Sequence, residues 1–430
     1  VCVIGAGSAG LVAARELRKE GLHVVVFEKN HDVGGQWLYD PNVDDDENLY
    51  GLCNVHSSVY ASLRVASPRE IMGFTDFPFT IKEEGDARRY PGHAEIQSYI
   101  SDFCETFKLR DMIEFNTLVE KVEMLDVKKW LVRRSKGKKA VVEDVFDAVV
   151  VATGHYSQPK LPKISGMELW NRKQMHSHNY RVPDPFKNEI VVIVGSSLSA
   201  RDISMELVNV AKEIHISARS PTGISPGFFG FISKNLNVHL HPEISSLAGG
   251  GRVWFIDGSS LIADRIIYCT GYTYSFPFLD TKGMVEVNDH RVEALYEHIF
   301  PPALAPSLSF VGIPKKVIGF PFFECQAKWI ARVLSGKATL PTCDDMMESV
   351  RERYRSLEAA GIPKANTHDI GEFEYCDGFA DMVGFPRLEE WRKHLCITSI
   401  VRGEMEPESY RESYEDDDEM LQVAYSSPHF

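Results

Sequence analysis

The chain has 430 residues, 44% of them hydrophobic and 25% charged, with a formal net charge of -14. That length exceeds what one hydrophobic core of ordinary size serves, so two or three domains, or one domain interrupted by another, are expected. The excess of acid over base excludes nucleic acid as the main partner, because phosphate neutralisation needs clustered Lys and Arg.

No apolar run approaches the ~18 residues that cross a bilayer, so no membrane anchor is expected. The chain opens at Val1 already inside a strand, which implies that residues ahead of it are missing and leaves a targeting segment open. Eight cysteines are scattered with no C-x-x-C and no zinc-like pairing, the pattern of a reduced, intracellular chain, placed in the cytoplasm. Metal is not expected; the acidic runs "DDDEN" (44 to 48) and "EDDDE" (415 to 419) read as solvated loops.

The opening "VCVIGAGSAGLVAARELRKEGLHVVVFEKN" is a strand, a glycine turn, a helix and a second strand. Leu11, Ala14 and Leu17 lie on one helical stripe, and "HVVVFE" has the β-branched density of a buried parallel strand. "GAGSAG" (Gly5, Ala6, Gly7, Ser8, Ala9, Gly10) fits G-x-G-x-x-G in full. Gly5 permits the tight turn, Gly7 lets the backbone approach a pyrophosphate at the helix N-terminus, and Gly10 allows close helix-to-strand packing. Glu28, 23 residues after Gly5, is placed to accept hydrogen bonds from ribose hydroxyls. In "DVGGQW" that follows, Gly35, Gln36 and Trp37 let the chain pass close to a cofactor and lay an indole across it, which favours FAD over NAD.

From about 114 to 154, "EFNTLVEKVEML", "KKWLVRRS", "KAVVEDVF" and "DAVVVATG" read as four short strands of a meander. A second βαβ unit starts near Glu189, runs through "GSSLSARD" and ends near "HISARS". Gly195 keeps the turn position, Ala200 is small enough for helix packing, and Ser199 and Asp202 are suited to cap the helix or reach a ligand. Ser197 stands where glycine would allow the closest phosphate approach. The strand after this helix ends in Arg219 with no carboxylate, and an arginine there accommodates the 2′-phosphate of NADP.

"VVVATGHY", with Thr153 and Gly154, and "IIYCTGYTY", with Thr270 and Gly271, flank this second unit. Such strand ends let a chain cross between domains over a bound dinucleotide. The expected fold is therefore α/β with two Rossmann-like domains, the NADPH domain inserted into the FAD domain. Residues 1–155 form the first part of the FAD domain, 156–272 the insertion, and 273–430 the second part with C-terminal helices. "PTGISPGFFG" reads as loop, and the last third offers one strand and two amphipathic helices.

Taken together, "GAGSAGL", "VGGQW", "DARRYPGHAEIQSYI", "ATGHY", "HSHNYRVPDPF", "CTGY" and "FECQAKW" resemble a flavin-containing monooxygenase of the plant S-oxygenating branch, over nearly the whole chain. The family fingerprint F-x-G-x-x-x-H-x-x-x-[YF] falls on "WNRKQMHSHNY". Trp170 replaces Phe and Arg172 replaces Gly, while His176 and Tyr180 match; similar Baeyer-Villiger enzymes place Trp where Tyr180 stands. Family members usually carry Asn where Ala66 stands, in "SLRVASPREIMGF", so Ser67 or a backbone group takes over that contact, or peroxide leaks. "GFPFFECQAKW" brings Gln326 near where the family contacts the flavin.

The resemblance implies that NADPH delivers hydride to FAD, that O2 adds at flavin C4a, and that a thioether attacks the hydroperoxide. A small S-alkyl or S-alkenyl cysteine derivative, or a methylthioalkyl glucosinolate, is the expected substrate. Rivals are an indole-pyruvate-type monooxygenase, and a degenerate NADPH-binding flavoprotein acting as oxidase or redox sensor. A disulfide oxidoreductase needs two neighbouring redox cysteines, and the nearest pair, Cys325 and Cys343, is 18 residues apart.

Overall fold

The computed structural model describes residues 1–43, 55–126, 129–137, 139–220, 223–413 and 418–427. The acidic run at 44 to 48 lies outside the described residues; Asp418 and Glu419 of the second run open the last helix, Asp418–Tyr425.

Two parallel five-stranded sheets organise the chain. The first is ordered Leu308–Phe310, Val149–Val151, Cys2–Ile4, Val25–Phe27, Ile113–Glu114, with every neighbour parallel. The second runs Val238–His241, Glu213–Ser217, Ile190–Val194, Arg265–Tyr268, Lys173–His176, again all parallel. The first sheet thus draws strands from both ends of the chain, and the second draws all of its strands from 173 to 268. Their apolar runs follow from this: a parallel strand covered on both faces keeps no solvent side. Val149, Val150 and Val151 are all buried, as are Val191, Val192 and Ile193.

Helix Ser8–Lys19 packs on the first sheet through Leu11, Ala14 and Leu17, none of which meets solvent. Burying each leucine stabilises by roughly 1.5–3 kcal/mol. Helix Gly319–Leu334 covers its outer side, locked by a buried ionic contact of Arg15 with Glu324 at 2.9 Å.

Three sequence expectations need correction. Only three of the four strands expected as a meander form one: Thr117–Asp126, Lys129–Lys136 and Val142–Phe146 pair antiparallel, while Val149–Val151 joins the first sheet. Its uninterrupted apolar run, unlike the alternation of its neighbours, is what suits it to burial on both faces. "SPGFFG", expected as loop, opens helix Pro226–Lys234. Ser225 caps it by accepting from the Phe228 N–H, Pro226 sits in the first turn, and Phe228, Phe231 and Ile232 are buried. The last third holds five described helices rather than two, adding Phe373–Val383, Glu390–Met405 and Asp418–Tyr425 to Gly319–Leu334 and Cys343–Ala359. No helix of the described residues is long and apolar enough to cross a membrane.

Candidate functional site

The first glycine turn shows why each glycine is there. Gly5 has φ +104°, and a Cβ on it would lie 2.6 Å from Ala152 O. A Cβ on Gly10 would lie 1.8 Å from Gly5 O, so helix and strand approach only without a side chain. Gly7 differs: its Cβ would meet nothing closer than Gly35 Cα at 3.5 Å. Protein packing leaves room at Gly7, and Gly35 faces it across a gap that neither residue fills. This is the cradle a pyrophosphate needs.

Glu28 ends the second strand, and its carboxylate is buried. It accepts from the Ala6 N–H at 2.7 Å and the Asn30 N–H at 2.8 Å. Burial pushes its acid upward while these two donors pull it back. Each oxygen keeps a further lone pair for an outside donor. Gln97, absent from the sequence reading, props the turn between them. Its side-chain amide donates to Val33 O at 2.6 Å, and a Cβ on Gly34 would strike its Oε1 at 1.8 Å.

These parts border one cavity of about 470 Å³. Gly5, Gly7, Ser8, Ala9, Glu28, Gly35, Gln36, Trp37, Ser67, Thr153 and Gly154 line it. So do groups the sequence did not single out, among them His56, Ile71, Met72, His155, Gly312, Lys315 and Cys396. Phe320 and Phe323 belong to the lining as well; Phe322 is instead packed in the core. The imidazole of His155 donates through Nδ1 to Gly312 O at 2.8 Å, and burial holds its pKa down to about 4. Burial holds His56 down to about 3. Both rings are therefore neutral near pH 7. Lys315 places its ammonium 4.7 Å over the Tyr274 ring, and burial lowers its pKa.

Gln326 is fully buried beneath the lining. Its Oε1 accepts from the Gly312 N–H at 3.0 Å, while its Nε2 has no hydrogen-bond partner among the described residues. Ala66 is exposed, and its carbonyl accepts from Ser399 Oγ at 2.9 Å. Ser67, next along the chain, is the residue that reaches the cavity wall.

The second glycine turn stands outside this lining. Gly195 has φ +116°, and a Cβ there would lie 2.5 Å from Cys269 O, while Ala200 lies on the buried face of the helix Leu198–Leu207. Ser197 and Ser199 are exposed at its start, where they face solvent. The expected capping by Ser199 or Asp202 is not found: Ser197 holds the cap position without a side-chain bond. Asp202 turns away to accept from Arg411 at 2.9 Å and the Tyr60 hydroxyl at 3.4 Å. The guanidinium of Arg411 offers an ion pair that a solvated helix start does not. Arg219 is exposed two residues past the strand Glu213–Ser217.

The two crossings meet. Gly154 and Gly271 both take positive φ, +71° and +79°, and the short strands Gln158–Pro159 and Tyr272–Thr273 pair antiparallel beside them. Thr270 Oγ1 donates to Lys160 O, so the hydroxyl is spent on fastening one crossing to the other.

Among the fingerprint residues, Trp170, His176 and Tyr180 are buried, while Arg172 is exposed. Arg172 donates to Asp264 at 2.6 Å and fits against Gly251, where a Cβ would come within 2.5 Å of it. His176 accepts the His178 N–H through Nδ1 at 3.0 Å, and the Tyr180 hydroxyl donates to Glu206 at 2.5 Å.

The chain matches the model of the family described as "FMO-like: Flavin-binding monooxygenase-like" over residues 1–226 and 236–389. It is 60% identical over 442 residues to the Arabidopsis thaliana protein "Flavin-containing monooxygenase FMO GS-OX-like 9", covering 100% of this chain and 96% of that one. Among solved structures it is similar to the S-allyl-L-cysteine S-oxygenase from Allium sativum, with 45% identity and a TM-score of 0.91 over 99% of this chain and 97% of that chain. Similarity to Tmm from Pelagibacter sp. strain HTCC7211 is lower, at 25% identity and TM-score 0.81 over 96% and 92% of the two chains.

Proposed function

The chain belongs to the flavin-binding monooxygenase-like family, as a flavin-dependent monooxygenase of the plant S-oxygenase branch, and on that footing we propose that it uses FAD, NADPH and O2 to S-oxygenate a small thioether. The substrate is an S-alkyl or S-alkenyl cysteine derivative or a methylthioalkyl glucosinolate. The observation that carries this reading is the glycine-lined cavity, in which Gly7 and Gly35 face each other under the carboxylate of Glu28. The similarity to an S-allyl-L-cysteine S-oxygenase supports the sulfur class.

The residues divide the work between binding and exclusion. Gly7, Ser8, Ala9 and Gly35 hold the flavin's pyrophosphate at the helix N-terminus, and Glu28 accepts from its ribose. Gln36, Trp37, Thr153 and Gly154 border the same cofactor, and Gln326, buried behind the wall, acts on it through Gly312, whose N–H its Oε1 accepts. Gly195, Ser197, Ser199, Ala200 and Arg219 hold NADPH, with Arg219 on the 2′-phosphate; Asp202 acts indirectly by tying this turn to Arg411. Thr270 and Gly271 shape the crossing between the two nucleotide domains. When bound, FAD and NADPH supply the hydride transfer and oxygen activation. Ile71, Met72, Phe320 and Phe323 give the cavity an apolar wall that would disfavour water beside the bound cofactor.

Ser67 replaces the amide usual at the Ala66 position, since the Ala66 methyl cannot hydrogen-bond and its carbonyl is occupied by Ser399. That exchange favours one rival outcome, consumption of NADPH with release of peroxide. The test is NADPH oxidation with a panel of thioethers, scored for sulfoxide by mass and for peroxide. Sulfoxide formed in step with NADPH consumption is the expected result. Peroxide alone, with every thioether, makes the protein an NADPH oxidase instead.

A further inference from the structure

Away from the cavity, strand pairing assembles a group of metal-ligating side chains that sequence spacing conceals. The strands Glu213–Ser217 and Val238–His241 run parallel, with His215 opposite His239 and Ser217 opposite His241. Residues two apart on a strand share a face. Glu213, His215, His239 and His241 therefore project to one side, while Ile214 and Ile216 pack into the core on the other. The strand Val238–His241 is the edge of its sheet.

His215 stands at the centre and is buried. Its Nε2 is 3.2 Å from Glu213 Oε2, and its Nδ1 is 2.9 Å from His241 Nε2. Its ring lies 4.8 Å from the His239 ring and 5.1 Å from the His241 ring. Two imidazoles on one tetrahedral ion with bonds of about 2.0–2.1 Å have ring centres roughly 5 Å apart, the spacing of the His215 and His239 rings, which lie stacked at 26°. Glu213, His215 and His239 each bring one ligand atom to within 4.8 Å of the others. Closing that triangle to the roughly 3.4 Å of a tetrahedral site requires the His239 ring, on the edge strand, to turn out of its stack on His215. Among the described residues, this is the group of three or more His, Cys, Asp or Glu with such convergence.

We propose that Glu213, His215 and His239 form a binding site for a divalent transition ion of the zinc or copper type, with water completing the coordination. The ion takes the place of the proton that His215 Nε2 shares with Glu213. That proton moves to His215 Nδ1, where His241 Nε2 accepts it after its own proton passes to Nδ1; both rings stay neutral. His241 is then the outer partner that fixes a ligating imidazole, and its ring is itself held by stacking on Phe255 at 4.2 Å.

The experiment is a calorimetric titration of the chelator-treated, flavin-loaded protein with Zn2+. One ion per chain is expected, with affinity falling at least about tenfold in both His239→Ala and Glu213→Gln. Cys343→Ala, on an exposed cysteine, is expected to bind as the parent does. Both metal-site variants alter side chains that are not fully buried, and equal thermal midpoints in chelator show that the fold is kept. Absence of saturable binding, or binding that neither variant weakens or that Cys343→Ala removes, overturns the proposal.

Discussion

At Gly7 the packing isolates the role of a single hydrogen atom in place of a side chain. Gly5 and Gly10 are required by the protein itself, because a Cβ at either would press on backbone oxygen at 2.6 or 1.8 Å. At Gly7 the nearest atom lies at an ordinary 3.5 Å, so the constraint comes from what the cavity holds. Gly7→Ala is therefore expected, with both proteins stripped of flavin, to melt within about 2 °C of the parent, and to bind flavin at least tenfold more weakly. The ratio of visible to ultraviolet absorbance after purification, beside the thermal midpoint, measures both. A variant that keeps its full flavin complement removes Gly7 from the proposed pyrophosphate site. The residue scale is also where Arg172 and Thr270 find an explanation, as side chains that fasten neighbouring segments rather than touch the cavity.

Elements position the site by propping one another. Helix His93–Thr106 reaches the Gly34–Trp37 turn through Gln97, whose amide holds Val33 O. Gln97→Ala leaves that carbonyl without its partner, at a cost of about 1–2 kcal/mol, and frees the turn. Flavin release during dilution is expected to quicken about tenfold while secondary structure by circular dichroism stays unchanged; unchanged release means the turn is held by other contacts. What could be read in advance divides along the same line. The strand, turn, helix and strand at 2 to 27, and its counterpart at 190 to 217, were legible because their physics is local. Helix Pro226–Lys234 carried its own start signal in Ser225 and Pro226, but the density of glycine masked it. Lys173–His176 shows no strong strand pattern, and it becomes an edge strand only because Arg265–Tyr268 offers it a partner. His56, His155 and Lys315 lie far along the chain from many of their neighbours in the cavity wall, and Gln97 sits behind it. No spacing rule links them before the two sheets are built.

For the whole molecule, buried neutral histidines set the response to acid. Burial holds His176 at about 3, His178 at about 4 and His368 at about 3. His176 and His368 also accept backbone N–H groups, from His178 and Val292. In the unfolded chain each histidine titrates near 6.5, so below that pH the unfolded state binds more protons than the folded one. Their stabilisation is full above about pH 6.5 and is lost progressively as pH falls toward 4 and 3. The thermal midpoint is expected to drop by at least about 5 °C between pH 7.5 and 5.0. A flat profile over that range contradicts the burial of these rings as neutral groups. At the same scale, the two parallel sheets joined at the paired crossings beside Gly154 and Gly271 form the frame on which the proposed chemistry depends. The most direct measurement is anaerobic addition of NADPH to the purified protein, followed in the visible flavin band. Copurified flavin whose band bleaches with NADPH, and far more slowly with NADH, is the result expected from Gly7, Glu28 and Arg219 as placed here. A protein that lacks the band, or whose band persists in excess NADPH, contradicts the account.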